Sequence, residues 1–304
     1  MNVNKLIIMI PCHDSEQSIR HLHDLFHSLM IQDDQNFEVI LSFHSANEES
    51  FQDLTSFLST FDLDITAYKF SDKIGNWTAN FNSLLSKLPR NRVVKIMFQD
   101  DVLIRQDTLS VVRETMGDSK TWMALGCQHF NDSPIESMNQ TSQIQNTAIH
   151  NFFNPHSPRW DDRMISELTN FIGAPSVIAF FNEDKLRIDE KITLSGDVVF
   201  YYLLFLKFGA PKLVPGLHLG IRKHNKSVTE SLSTGYKGRM PDGRKIRNRK
   251  DVHVREVILV KRLFNLPLQK YETRPLLLIS FLKNSVYCLP LWIFRKMLLN
   301  LRGR

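Results

Sequence analysis

The chain has 304 residues, 42% hydrophobic and 23% charged, with a formal net charge of +6. Those fractions belong to a soluble globular protein, long enough for one large α/β domain plus an appendage. Cys12, Cys127 and Cys288 lie far apart with no Cys-x-x-Cys pair, which argues against a disulfide framework or a zinc site and favours a reducing compartment.

Lys5 to Ile10 reads as a first strand, because its apolar run stops at Pro11 and is too brief for a signal peptide. Ser18 to Met30 follows as a helix with Leu22, Leu25, Phe26 and Leu29 on one face, then Phe37 to Phe43 as strand two. Glu49 to Thr60 is a second helix, Asp64 to Phe70 a third strand, and Trp77 to Leu88 a helix closed by Pro89. Strand four is Arg92 to Phe98. Alternation of this kind with short connections predicts a Rossmann-like half, in which right-handed crossovers bring the strand ends to one rim. No Gly-x-Gly-x-x-Gly follows strand one and no Walker Gly-Lys-Ser/Thr occurs, which argues against a dinucleotide or P-loop enzyme.

The most informative stretch is Val93 to Phe98 running straight into Gln99-Asp100-Asp101. Two carboxylates at the carboxyl end of a central strand stand where open α/β sheets bind ligands. They suit magnesium or manganese, which one or two carboxylates hold while substrate phosphates and water complete the shell. The plain alternative is a solvated turn, or a cap for the helix expected near Gln106-Asp107.

Thr121 to Cys127 reads as a further strand, and the Asn-, Gln-, Ser- and Pro-rich stretch from Asn131 to Pro158 as a long excursion near the rim. Gly173-Ala174-Pro175-Ser176 then precedes an apolar strand, Val177 to Phe181. It serves either as a tight turn or as a close backbone approach to a ligand. Asp197 opens the apolar helix Val198 to Leu204, where it either caps the helix or turns its carboxylate towards a substrate at the helix's positive end.

In order, these segments resemble the family 2 glycosyltransferases of the glycosyltransferase A fold, particularly bacterial enzymes that build surface polysaccharides. Ile8-Met9-Ile10-Pro11-Cys12-His13-Asp14 resembles the opening strand and Pro-x-x-Asn turn, with Asp14 in place of Asn. Ser28 and Gln32 before Phe37 to Ile40 look like the Ser-x-x-x-Gln helix end and second strand. Asn80-Phe81-Asn82 and then Gln99-Asp100-Asp101 resemble the metal-binding acidic motif. Gly173 to Ser176 is similar to an acceptor-side Gly-x-Pro-Ser, Asp197 falls where the catalytic base does, and His224 to Thr229 resembles the late His segment. The resemblance covers roughly residues 5 to 230.

The resemblance implies a mixed central sheet flanked by helices, with a catalytic domain over residues 1–230. It implies a divalent metal, manganese or magnesium, at Asp100 and Asp101, and a nucleotide-sugar donor contacted by Pro11, Asp14, Asn80, Gln99, Asp100 and His224. Asp197 would act as the base of an inverting attack by an acceptor hydroxyl. Two positions depart from the pattern: Phe98 stands where the first acid of Asp-x-Asp belongs, and Ser42-Phe43-His44-Ser45 replaces the acids that end strand two. A weakened, transferase-like protein that binds sugar or nucleotide without turnover is therefore the competing reading.

Residues 231–304 form a second region. Between Lys237 and Arg262, ten Lys or Arg stand against three Asp or Glu, so this stretch alone carries +7. Its charge is not interleaved with aromatic residues, which argues against nucleic acid and suits an anionic membrane surface. From Arg274 to Arg304 the chain is apolar in runs too short to span a bilayer. Leu291, Phe294, Leu298 and Leu301 share one helical face and basic residues stand opposite. The tail is expected to lie on the cytoplasmic face of a bacterial inner membrane, the alternative being a helix pair packed on the core.

Overall fold

A computed structural model of the chain describes residues 5–15, 17–131, 168, 170, 172–183, 186–223, 245–246 and 249–266. His224, the tail from 275 onwards and nearly all of the excursion at 131–158 lie outside the described residues. The first half alternates strand and helix: β1 (Leu6–His13), α1 (Ser18–Met30), β2 (Phe37–His44), α2 (Glu48–Leu58), β3 (Ile65–Phe70), α3 (Trp77–Lys87) and β4 (Arg92–Ile96). β5 (Val102–Leu103), α4 (Thr108–Met116) and β6 (Trp122–Asn131) follow. A 3-10 turn at Pro175–Val177 leads into β7 (Ile178–Asn182), then α5 (Gly196–Phe208), β8 (Lys212–Lys223) and α6 (Arg249–Leu263).

The strands make one mixed sheet in the order β3-β2-β1-β4-β7-β6-β8-β5. β1 to β4 are parallel, with Leu6 opposite Phe37 and Ile7 opposite Val94. β7 inserts antiparallel between β4 and β6, and β6 and β8 run parallel again. Leu6 to Ile10 are all buried, as expected of a central strand covered on both faces. α1 covers one of these faces with Leu22, Leu25, Phe26 and Leu29, the residues its period marks. Asn47 and Asn76 cap α2 and α3 by accepting the amides of Glu49 and Ala79, a device worth about 1 kcal/mol each.

Three elements were not expected. β5 is only two residues long. β8 shifts register beside β6 where Gly126 and Gly216 approach so closely that a side chain at Gly126 would collide with the Gly216 carbonyl. α6 takes up the second half of the basic stretch, yet Val257 and Val260 join the main core and Val252 packs with Ile246 and Leu194.

Candidate active site

The carboxyl ends of β1, β2 and β4 meet at one rim, held by polar side chains turned inward. Gln99, 3% exposed, accepts the His13 amide at 2.7 Å and donates to Ser18 Oγ at 3.2 Å. Asn80, also 3% exposed, donates to the Cys12 carbonyl at 2.9 Å and accepts the Ser42 hydroxyl at 2.6 Å. Pro11 is buried within β1, opposite Ser42. Pro11, Asn80 and Gln99 thus shape the rim from beneath. Asp14 is exposed above it, its carboxylate accepting the Ser45 hydroxyl at 2.7 Å. The serines that replace the expected acids of strand two are spent on these bonds. Cys12 lies within electrostatic reach of two of the candidate acids. Burial pushes its thiol well up, and the carboxylates of Asp100 and Asp14 push it further.

The adjacent acids divide their roles. Asp101 is 2% exposed and accepts the Ser176 hydroxyl at 2.5 Å on one oxygen and the Arg222 amide at 3.2 Å on the other. Burial holds its carboxyl well above the ordinary range, and the neighbouring Asp100 adds to this. Beneath it lies Lys95, fully buried in β4, which donates to the carbonyls of Ile96 and Ser176. Burial lowers the Lys95 ammonium to about 7 while Asp101 pulls the other way. Asp100 is half-buried, and its carbonyl accepts Arg222 Nε at 3.1 Å. The Arg222 guanidinium also pairs with Asp24 at 2.6 Å and lies 4.7 Å from the Phe130 ring centroid.

Among the described residues no three His, Cys, Asp or Glu cluster as a metal cage. With Asp101 tied to Ser176 and Arg222, Asp100 is the carboxylate of this turn that could hold a hard cation, whose other ligands would have to be substrate oxygens and water.

Asp197 stands in the first turn of α5. One carboxylate oxygen accepts the Val198 amide at 2.8 Å and the other the Asn170 amide group at 2.5 Å. Burial pushes its carboxyl up to about 6 against the pull of those two bonds, and the Glu256 carboxylate raises it further. One helical turn on, Tyr201 donates to the Gly173 carbonyl at 2.9 Å, and Asn170 donates to the same oxygen at 2.8 Å.

Two paths of contacts run between the acids. The first is the segment from Asn170 to Ser176, whose first residue holds Asp197 and whose last holds Asp101; six residues of chain reach about 20 Å even when fully extended. Tyr201 senses both ends, since burial raises its hydroxyl and the carboxylates of Asp197 and Asp101 both add to that. The second path is aromatic. Phe98, at the position of the missing acid, packs edge-on against Trp77 with ring centroids 6.3 Å apart. The Trp77 indole donates to the Thr193 carbonyl, and its ring lies where a methyl at Gly196 would come within 2.6 Å.

Lys95, Asn170, Tyr201, Arg222 and Glu256 are the contributors that sequence reasoning passed over. Lys95 alone left a signal, as a charge in the middle of an apolar strand. His224 lies outside the described residues.

No family model and no curated protein matches the sequence. Solved structures do match in fold. Residues 1–349 of S. aureus TarS align with TM-score 0.54 at 12% identity over 88% of this chain and 67% of that one. The same fragment in complex with UDP-GlcNAc gives 0.53, 13%, 88% and 68%. A mannosyltransferase from Pyrobaculum calidifontis, PcManGT, in complex with GDP-Man and Mn2+, gives 0.50, 12%, 74% and 58%. The chain therefore spans about two thirds of the TarS fragment and less of PcManGT. Together with the mixed sheet and its acid-bearing rim, these likenesses show a glycosyltransferase A fold.

Proposed function

We propose that the chain is a metal-dependent, inverting hexosyltransferase that moves a sugar from a nucleotide donor onto a lipid-linked, lipopolysaccharide or capsular acceptor at a bacterial inner membrane. The observation that supports this reading is that Asn170 bonds to Asp197 while Ser176, six positions on, bonds to Asp101. The neighbours' complexes with UDP-GlcNAc and with GDP-Man and Mn2+ support a nucleotide sugar as donor.

In this reading Asp100 holds the cation and Asp101 keeps the turn in place. The metal supplies charge neutralisation at the departing diphosphate, worth several kcal/mol. Asp14, exposed at the β1 rim, faces the nucleotide. Asp197 takes the proton of the acceptor hydroxyl as its oxygen bonds to the anomeric carbon and the bond from that carbon to the phosphate oxygen breaks. Such general-base assistance contributes about 10²–10⁴-fold.

The test is a thermal-shift panel of nucleotide sugars, led by UDP-GlcNAc and GDP-mannose, with and without manganese, followed by nucleoside diphosphate release. A ligand that binds the native state must raise the melting temperature. Release should fall at least about 10²-fold in Asp100→Ala and Asp197→Asn while both retain the wild-type circular dichroism spectrum. Full activity of either variant removes that residue from the mechanism. Stabilisation without any release assigns the chain to the binding-only reading that Phe98 prompts.

A further inference from the structure

Glu256 is fully buried in α6, and among the described residues no cation pairs with it. Its carboxylate instead accepts three successive backbone amides. Oε1 takes Thr193 N–H at 2.6 Å and Leu194 N–H at 2.8 Å, and Oε2 takes Ser195 N–H at 2.8 Å. The Thr193 hydroxyl adds a fourth bond at 3.1 Å. Consecutive amides turned to one side form a concave anion site, here filled by a side chain 61 residues further on. These amides lie immediately before Gly196 and Asp197, and Ser195 itself makes no side-chain cap to α5. α5 is braced again where Tyr202 meets Phe264, the residue that follows α6, with rings edge-on at 5.0 Å.

We infer that Glu256 is a positioning residue for Asp197: its carboxylate fixes the backbone at residues 193–195 and so sets where the first turn of α5 presents the Asp197 side chain. A buried carboxylate is costly unless its bonds are well made, so the four bonds to Glu256 hold the loop at residues 193–195 in place. A reaction that needs its base aimed at one oxygen gains from that restriction, because small misplacements cost large factors in rate.

The inference rests on Asp197 being the acceptor-side base, so Asp197→Asn is measured alongside. The reading-out reaction is nucleoside diphosphate release from whichever of UDP-GlcNAc and GDP-mannose stabilises the protein, with water as acceptor. In Glu256→Gln the amide group cannot accept at both oxygens, and the Ser195 N–H loses its partner. The expected result is a fall in kcat of about 10- to 100-fold with donor KM within about twofold. Glu256→Asp, which keeps the charge, should recover part of the rate. Thr193→Val, a milder change that leaves all three amides bonded, should lower kcat about threefold with KM unchanged, and it decides the matter if Glu256→Gln does not fold. Wild-type kcat in a folded Glu256→Gln, or in Thr193→Val where the former is unfolded, overturns the inference. Parallel loss of kcat and donor binding does so too, since it marks a general collapse. An active Asp197→Asn overturns the underlying reading instead.

Discussion

Asp197 keeps a carboxylate in a place where burial favours the protonated form, and this has a measurable sign. With its carboxyl near 6, the ionised base is the minor form below that pH. Turnover should rise about tenfold per pH unit up to about 6 and level off above it, as read from initial rates between about pH 4.5 and pH 8. A flat profile across that range removes the base role. The stability effect runs the other way. A carboxyl whose folded pKa lies above its unfolded value adds stability below the unfolded value and loses it as pH rises through the folded one. Asp197→Asn should therefore melt no lower than the wild type above about pH 6.

The neighbouring acids offer a second contrast at this scale. Asp101→Ala strips the Ser176 hydroxyl and the Arg222 amide of their shared acceptor inside the core and removes the carboxylate that favours a charged Lys95, and should cost about 3 kcal/mol in denaturant unfolding. Asp100→Ala should cost no more than about 1 kcal/mol, because that side chain is half-buried. Equal losses would show that the two carboxylates share one structural job.

Among the elements, α5 depends on Gly196. A methyl there stands 2.6 Å from the Trp77 ring, and because Trp77 is itself pinned by Thr193 and Phe98, the helix rather than the ring must move. Gly196→Ala should cost about 1–3 kcal/mol by overpacking and lower turnover further than it lowers donor affinity, since Asp197 follows directly. Retained turnover together with a wild-type melting temperature would show that the Trp77 contact is loose.

The same elements show what was legible beforehand. α1 and β1 to β4 declare themselves by period and by clean apolar runs, and the acids at the end of β4 and the start of α5 stand out because apolar residues adjoin them. β8 stayed hidden because Pro215, Gly216 and Gly220 interrupt its pattern, and long-range pairing with β6 supplies what local propensity lacks. α6 stayed hidden because its inward stripe includes Glu256 among Val252, Val257 and Val260, so a buried acid looked like one charge in a basic run. The bridge from Asn170 to Ser176 is marked only by Gly173-Ala174-Pro175-Ser176, since the bonds that tie its ends to Asp197 and Asp101 join residues remote in sequence.

For the whole molecule, the question is how the chain meets its acceptor. Among the described residues no helix is long and apolar enough to cross a membrane. Lys245, Arg249, Lys250 and Arg262 are exposed near α6, while the inner side of α6 is committed to the core through Val257 and Val260, with Leu266 packed against it. In the proposed setting these bases face anionic lipid, each adding about 1 kcal/mol near the surface, and the apolar runs after residue 274 supply the remaining attachment. If the tail lies on the membrane, deleting residues 275–304 should leave the melting temperature and the release of nucleoside diphosphate at wild-type values. Sedimentation with vesicles containing anionic lipid should fall sharply and become sensitive to salt, because the charges that remain are screened within about 10 Å at 0.1 M ionic strength. If the truncated chain still sediments as the full chain does, the tail is not the attachment. If it loses stability instead, the tail packs on the core, and the membrane has to be met by the basic stretch alone.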